Sequence, residues 1–430
     1  MASKTLAQLA SSSRALDKAF LSVRKGSGSQ SRGPNGVTLA EFARNWPAAK
    51  KRLTREIRDG LYCFGGYLGH AISKDGNRDP ADLRSYRPIS VANIRDRVVQ
   101  RAVLDAIWID IRDCVCTPSS FGGVRRYSTR SKRASESTDD DKKCIKTAAK
   151  RIRKLYDGGS KWVFETDIIN FFPSIDRDRL MGQLLARLRD DSLNEIIENS
   201  LDTSITNATT MGERAALWDS LWGVPQGGVL SPAMANFYLF DFDRAIENAG
   251  FEMVRYVDDL VILANDQKIA EDAHVISRNL LHGMRLKMHP LGDESKTRIV
   301  PPQCYFDFLG LRFAPRSIRP VQKKLKQVYE SIQEITDPKN IKKSLATVIQ
   351  EINWLLQGFA HAYDFCNLTK GDLRGIDKHV GFEVRLWLKR RDLIRQENHV
   401  SASAFEHLGV RRIEKFRIDP IVKIPRLKAV

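Results

Sequence analysis

Long apolar runs are missing from this chain. No stretch of about 18 apolar residues occurs, so no membrane-crossing helix is expected. The N-terminus lacks the apolar core of a secretory signal. Cysteine is sparse, with six residues at Cys63, Cys114, Cys116, Cys144, Cys304 and Cys366. None belongs to a Cys-x-x-Cys pair, and Cys114 and Cys116 are spaced wrongly for a zinc knuckle. These absences argue against a disulfide framework or a zinc ribbon, and for a reduced cytoplasmic protein with no membrane contact. No internal repeat is evident. Acidic residues are in deficit: 70 Lys+Arg against 52 Asp+Glu leaves a formal charge of +18. Such a surface suits a polyanion, nucleic acid first among them, although a basic enzyme would share it.

What is present is globular. The 430 residues are 42% hydrophobic and 28% charged, enough for two or three packed units. Residues 2–25 are expected to form an amphipathic helix, followed by a Gly/Ser-rich loop from Gly26 to Gly36. Thr38-x-x-Glu41 has the form of a capping box, opening a helix through Lys51 and beyond. Residues 61–93, broken by Gly and Pro, suggest short strands. Val98, Val99, Ala102, Val103 and Ile107 recur at helical spacing within Arg95 to Ile111. Residues 125–143 are almost wholly polar and are expected to be an exposed insertion. A basic helix is expected from Lys143 to Tyr156. Beyond Pro320 the pattern turns helical, with Leu345, Val348, Ile352, Leu355 and Phe359 forming a core-facing stripe. Arg411 to Lys428 is basic and ends in Pro-containing extended sequence.

Carboxylates carry the chemistry. Lys161 to Asp167 is an apolar run ending in an acid, which has the form of a central strand. Met253–Tyr256 and Leu260–Leu263 flank Asp258 and Asp259, giving a hairpin with two acids at its tip. Transfer of a nucleotide needs two divalent cations about 3.5–4 Å apart. Mg²⁺ prefers hard oxygen ligands, which carboxylates on rigid strands supply. The plain alternative, a polar turn, is open for Asp258-Asp259 in isolation. The order of the acids behind an aromatic segment and a Pro-Gln-Gly turn favours the metal site.

Taken together these residues resemble the reverse transcriptase family. Phe164-Glu-Thr-Asp167-Ile-Ile-Asn-Phe-Phe172-Pro-Ser-Ile-Asp176 is similar to its first catalytic motif. Gly223-Val-Pro-Gln226-Gly227-Gly-Val-Leu-Ser231-Pro232 is similar to its second, and Tyr256-Val-Asp258-Asp259 to its third. Phe308-Leu309-Gly310 resembles its primer grip. Gly33 to Thr38, Arg87-Pro88-Ile89 and Arg95 to Gln100 resemble the fingers of bacterial group II intron enzymes, and Ile352 to Tyr363 their thumb. The resemblance implies an α+β, right-hand polymerase. Fingers with an N-terminal extension would occupy 1–160, a ferredoxin-like antiparallel palm 161–318, and a helical thumb with the basic tail 319–430.

The resemblance also implies roles. Asp167, Asp258 and Asp259 are the expected catalytic triad, with the carbonyl of Ile168 a further ligand to two Mg²⁺ ions. Phe172 stands five residues after Asp167, where the family places an aromatic gate against the ribose 2′-OH; a core Phe is the alternative. Gln226 and Gly227 are expected against the incoming nucleotide. Arg87, and more weakly Arg84, are expected at its phosphates, where a guanidinium fork suits the oxygens. Lys296 resembles the lysine that delivers a proton to pyrophosphate, but its spacing from Leu286 is longer than usual and a solvated lysine is an equal alternative.

The expected activity is RNA-directed DNA polymerisation, a nucleotidyl transfer from dNTPs on an RNA template to give cDNA. The intact Gln-Gly-x-x-x-Ser-Pro pattern, the absence of a His/Asn-rich endonuclease region and the missing Val-Thr-Gly thumb signature of retrons point to an antiviral, defence-associated enzyme copying a structured noncoding RNA. A group II intron or retron enzyme is the alternative within the family. Two others lie outside this reading: an RNA-directed RNA polymerase, and a non-catalytic RNA-binding splicing cofactor. Phe172 argues against the first and the complete acid set against the second.

Overall fold

Three serines split the helix expected at the N-terminus. In the computed structural model, which describes residues 4–26, 28–74, 82–123, 144–219, 223–394 and 402–416, α1 spans Leu6–Ala10 and α2 spans Ser13–Lys25. Ser11 closes the first and Ser12 caps the second, its hydroxyl accepting from Ala15 N. The second expected helix also divides. The capping box forms, Thr38 with Glu41, but α3 ends at Arg44 (Leu39–Arg44) and α4 runs Trp46–Arg58 with Pro47 in its first turn. The insertion at 125–143, and the tail beyond residue 416, lie outside the described residues.

The chain divides into two units, Met1–Ala148 with Val163–Ile299, and Ala149–Trp162 with Val300–Val430. In the first, β1 (Tyr67–Ser73) and β2 (Tyr86–Ala92) form an antiparallel ribbon, Tyr67 opposite Ala92. Helix α5 (Ile94–Val115) follows, longer than expected, and is buried on most sides. Its buried residues include Asp96, Arg97, Gln100 and Arg101, which cannot be spared hydrogen bonds at such depth.

The second sheet has the order β4-β5-β3-β6, with β3 at Trp162–Asp167, β4 at Glu252–Tyr256, β5 at Asp259–Ala264 and β6 at Arg298–Val300. Numbering these four strands along the chain gives a spatial order of 4-1-3-2. With helices between first and second and between third and fourth, that is the ferredoxin-like βαββαβ arrangement. Helix α6 (Ile145–Asp157) precedes the sheet. The first crossover holds α7 (Phe171–Ser174), α8 (Arg177–Leu185), α9 (Asn194–Ser200), α10 (Ala208–Met211), α11 (Ala216–Asp219), α12 (Ser231–Tyr238) and α13 (Phe240–Asn248). The second holds α14 (Gln267–Gly283). The class is therefore α+β, as expected.

The second unit carries a three-stranded meander, β7 (Phe306–Phe308), β8 (Leu311–Ala314) and β9 (Ser317–Pro320). Helices α15 (Gln322–Ile335), α16 (Leu345–Ala362) and α17 (Lys370–Arg390) follow, then the short α18 (Ala402–His407). The stripe on α16 is nearly the expected one. Val348, Ile352 and Phe359 are buried, but Leu356 rather than Leu355 completes it, and Leu345 and Leu355 are only partly covered. They meet Ile332, Ile376, Val384 and Trp387 from α15 and α17. Residues Ile413–Lys415 form a 3-10 turn, and the Pro-containing extended end expected further on lies outside the described residues. No helix among the described residues is long and apolar enough to cross a membrane.

Candidate active site

The hairpin of β4 and β5 pairs Tyr256 with Asp259, leaving Val257 and Asp258 as its two-residue turn. Val257 has φ +64, a left-handed value that β-branched residues strongly disfavour. A positive φ at the first turn position matches the hairpin's right-handed twist, but Gly is the usual residue there. Holding Val in it costs about 1–3 kcal/mol, which the surroundings must offset. The neighbouring strand β3 ends at Asp167, and the next residue, Ile168, donates its N–H to the Asp258 carbonyl at 3.2 Å. Asp167, Ile168, Asp258 and Asp259 are thus brought to one end of the sheet's two central strands.

These acids sense one another. Burial, then the charge of Asp167, raises the pKa of Asp258. Burial, then the charges of Asp258 and Asp167, pushes that of Asp259 up to about 6. Arg87 and Lys296 act against both rises. Like charges gathered in a partly dry site are what a divalent cation relieves. Asp167 also keeps a buried oxygen, Oδ1, with no hydrogen bond. Its other oxygen holds the Lys296 ammonium at 2.5 Å. His289 Nε2 lies 3.2 Å from Oδ1.

Among the described residues no three His, Cys, Asp or Glu side chains form a ready-made metal cage. Magnesium asks for less than a cage: one or two carboxylates, waters and a substrate's own phosphates can share the ion. Hard oxygens, mutual repulsion and a buried carboxylate oxygen that accepts no hydrogen bond fit such an ion.

A cavity of about 1170 Å³ opens above the acids. Arg87, Phe172, Gln226, Gly227, His289 and Lys296 all line it. Arg87 is exposed on β2. The backbone of Arg84 lies in the turn before β2, and its side chain is outside the described residues. Phe172 sits in α7, half-buried, edge-on to Phe171 at 5.7 Å between ring centres. Its carbonyl accepts from Val224 N at 3.0 Å, and Gly223 packs so closely that a Cβ there would stand 1.9 Å from it. Gly227, at φ +110, presses on β2, where a Cβ would meet Ser90 O at 2.6 Å. Ser90 N donates to Gln226 O at 2.7 Å. The Pro-Gln-Gly turn is therefore welded by backbone contacts to both the Phe172 segment and β2.

Several residues that build this site were not foreseen. Gln100, fully buried on α5, accepts from Val229 N and donates to Tyr67 OH, tying the turn to β1. The Arg97 guanidinium holds the carbonyls of Gly28 and Ser31, in a loop that lines the cavity. His289 gave no signal in sequence, because it follows α14 in an irregular segment. Phe308, Leu309 and Gly310 belong to the second unit, at the turn from β7 to β8. Leu309 and Gly310 have φ +55 and +74, so this turn too is left-handed.

The family described as reverse transcriptase (RNA-dependent DNA polymerase) matches residues 72–313. The group II intron-encoded protein LtrA of Lactococcus lactis subsp. cremoris is 25% identical over 199 residues, 46% of this chain and 28% of that protein. Protein YkfC of Escherichia coli is 28% identical over 168 residues, 38% of each. The chain thus spans less than half the length of these curated relatives. Among solved structures, a partial Cas6-RT-Cas1–Cas2 complex aligns over 65% of this chain and 42% of its own, with 22% identity and a TM-score of 0.35. The apo telomerase of Candida tropicalis aligns over 85% and 73%, with 12% identity and a TM-score of 0.37. These two likenesses are too distant to bear on substrate.

Proposed function

The chain belongs to the reverse transcriptase family, and from that premise we propose that its cavity adds deoxynucleotides to a primer on an RNA template. One observation carries the reading: three carboxylates from adjacent strands meet below a cavity walled by a cation, an aromatic ring and a glycine turn.

In this reading Asp167, Asp258, Asp259 and the Ile168 carbonyl would hold two magnesium ions. When bound, these supply Lewis acidity toward the attacking hydroxyl and the transferring phosphate. The protein does the rest. Arg87 offers its fork to the triphosphate oxygens. Gln226 and Gly227 present a close, flat backbone to the nucleotide. The Phe172 ring closes the space that a ribose 2′-OH would need. Lys296 Nζ, now on Asp167, is assigned to proton delivery to the leaving pyrophosphate. In this scheme most of the fingers (1–160) and palm (161–318) lies in the first unit, while residues 149–162, the palm's last stretch with Phe308–Gly310, and the thumb (319–430) lie in the second.

The finer biology is proposed on the motif set alone. A structured noncoding RNA, copied to cDNA in the cytoplasm during antiphage defence, is the template we assign. The net charge of +18 supports RNA held mainly through phosphate and 2′-OH contacts, with binding that weakens steeply in salt. Sequencing the RNA and DNA that copurify with the protein tests this assignment. Extension of an annealed primer on RNA tests the activity. Incorporation of dNTPs by the parent, and none by an Asp258→Ala/Asp259→Ala variant, is expected. A preference for rNTPs would instead make it an RNA polymerase.

A further inference from the structure

We propose that Arg255 is a positioning residue, which fixes the Val257 carbonyl and thereby aims Asp258 at the metal position. This rests on the polymerase reading above. Arg255 and Asp243 are both 0% exposed and form a bidentate pair, Nε to Oδ1 at 2.7 Å and Nη2 to Oδ2 at 2.5 Å. The remaining nitrogen, Nη1, donates to Val257 O at 2.9 Å and Asn236 Oδ1 at 2.8 Å. The guanidinium thus joins α13, α12 and the hairpin tip in one planar fork. Neighbours brace it: Thr117 Oγ1 donates to Asp243 Oδ2 at 2.6 Å, and Asn236 Nδ2 to Gly122 O at 2.7 Å.

The backbone is held as well. Arg255 N donates to Ser119 O and Phe121 N to Arg255 O, both at 2.8 Å, so residues 119–121 cover the open edge of β4. Gly122 lies against the Tyr256 ring, where a Cβ would come within 2.5 Å. The one residue these contacts do not explain is Val257, kept at φ +64 immediately before Asp258. Its carbonyl is where Arg255 grips. A buried ion pair is a poor source of stability, because apolar residues of similar volume often do as well. What it supplies is direction. Lysine could keep the charge but could not span a bidentate carboxylate and two further acceptors.

The test separates folding from aim. Arg255→Met combined with Asp243→Leu removes both charges and keeps the volume. Arg255→Lys keeps the charge and loses the fork. Each full-length variant is followed by thermal melting, by Mn²⁺ titration with electron paramagnetic resonance, and by the Mg²⁺ dependence of primer extension. Per folded molecule, both should bind Mn²⁺ about tenfold more weakly and need correspondingly more Mg²⁺, since outer-shell partners commonly carry that much. The dNTP KM should move less than kcat. Unchanged Mn²⁺ affinity and Mg²⁺ demand in either folded variant overturns the proposal. Asp258→Ala, run alongside, distinguishes the two failures. If it still extends primers, the polymerase reading falls; if it is dead while the Arg255 variants bind Mn²⁺ normally, only the positioning role does.

Discussion

Under the carboxylate hairpin the first unit buries charge; at its centre the second buries almost none. Arg255, Asp243, Asp96 and Gln100 are all nearly inaccessible in the first. Asp96 alone accepts from Tyr62 OH, Asn93 Nδ2 and Gly65 N, pinning the start of α5 to the loop before β1. Among the described residues of the second unit, only Thr336 and Glu383 are buried polar groups, against an apolar cluster of α15, α16 and α17. Apolar burial is cheap and non-directional. Hydrogen-bonded burial is demanding but sets angles. The first unit must aim a strained turn, whereas the helical core must only stay packed.

The largest expected effect breaks activity without touching packing. Asp258→Ala should slow single-turnover primer extension by about a thousandfold or more, because several kcal/mol of charge stabilisation is lost. Its melting temperature should hold or rise, since a carboxylate raised by burial and by Asp167 has gone. The mirror experiment is Trp387→Ala in the helical core. Trp387 is fully buried, and its loss should cost about 3–5 kcal/mol in denaturant unfolding. The choice between dNTP and rNTP should not move.

Phe172→Val should leave stability nearly intact, because the ring is only half-buried. Discrimination against rNTPs should fall by about a hundredfold in competition assays, the scale of a shape-based pocket. Smallest is Ile352→Val, expected to cost about 1 kcal/mol by the same unfolding measurement, with extension kinetics unchanged. An Ile352→Val variant with altered nucleotide choice would dissolve the division between the two regions.

Much of this was legible in the sequence, for reasons of range. The strand ending at Asp167 and the hairpin at Asp258 and Asp259 are short-range patterns, and both formed. The capping box at Thr38 is equally local. Helix ends were harder: Ser12 and Pro47 each split an apolar pattern that periodicity alone carried through. The supports of the site were not legible. Arg255 stands in a strand of apolar neighbours, and its partner Asp243 lies in a helix, so only the folded chain shows them paired. Gln100, Arg97 and His289 act on segments far along the chain, which no spacing rule reaches.

We propose Asp167, Asp258 and Asp259 as one polymerising centre acting on an RNA template. Primer extension on a defined RNA, with dNTPs and rNTPs in separate reactions, tests it most directly. Mg²⁺-dependent DNA synthesis that disappears when Asp258 becomes Ala is the expected result. Extension that survives that substitution, or that runs on rNTPs in preference to dNTPs, would contradict it.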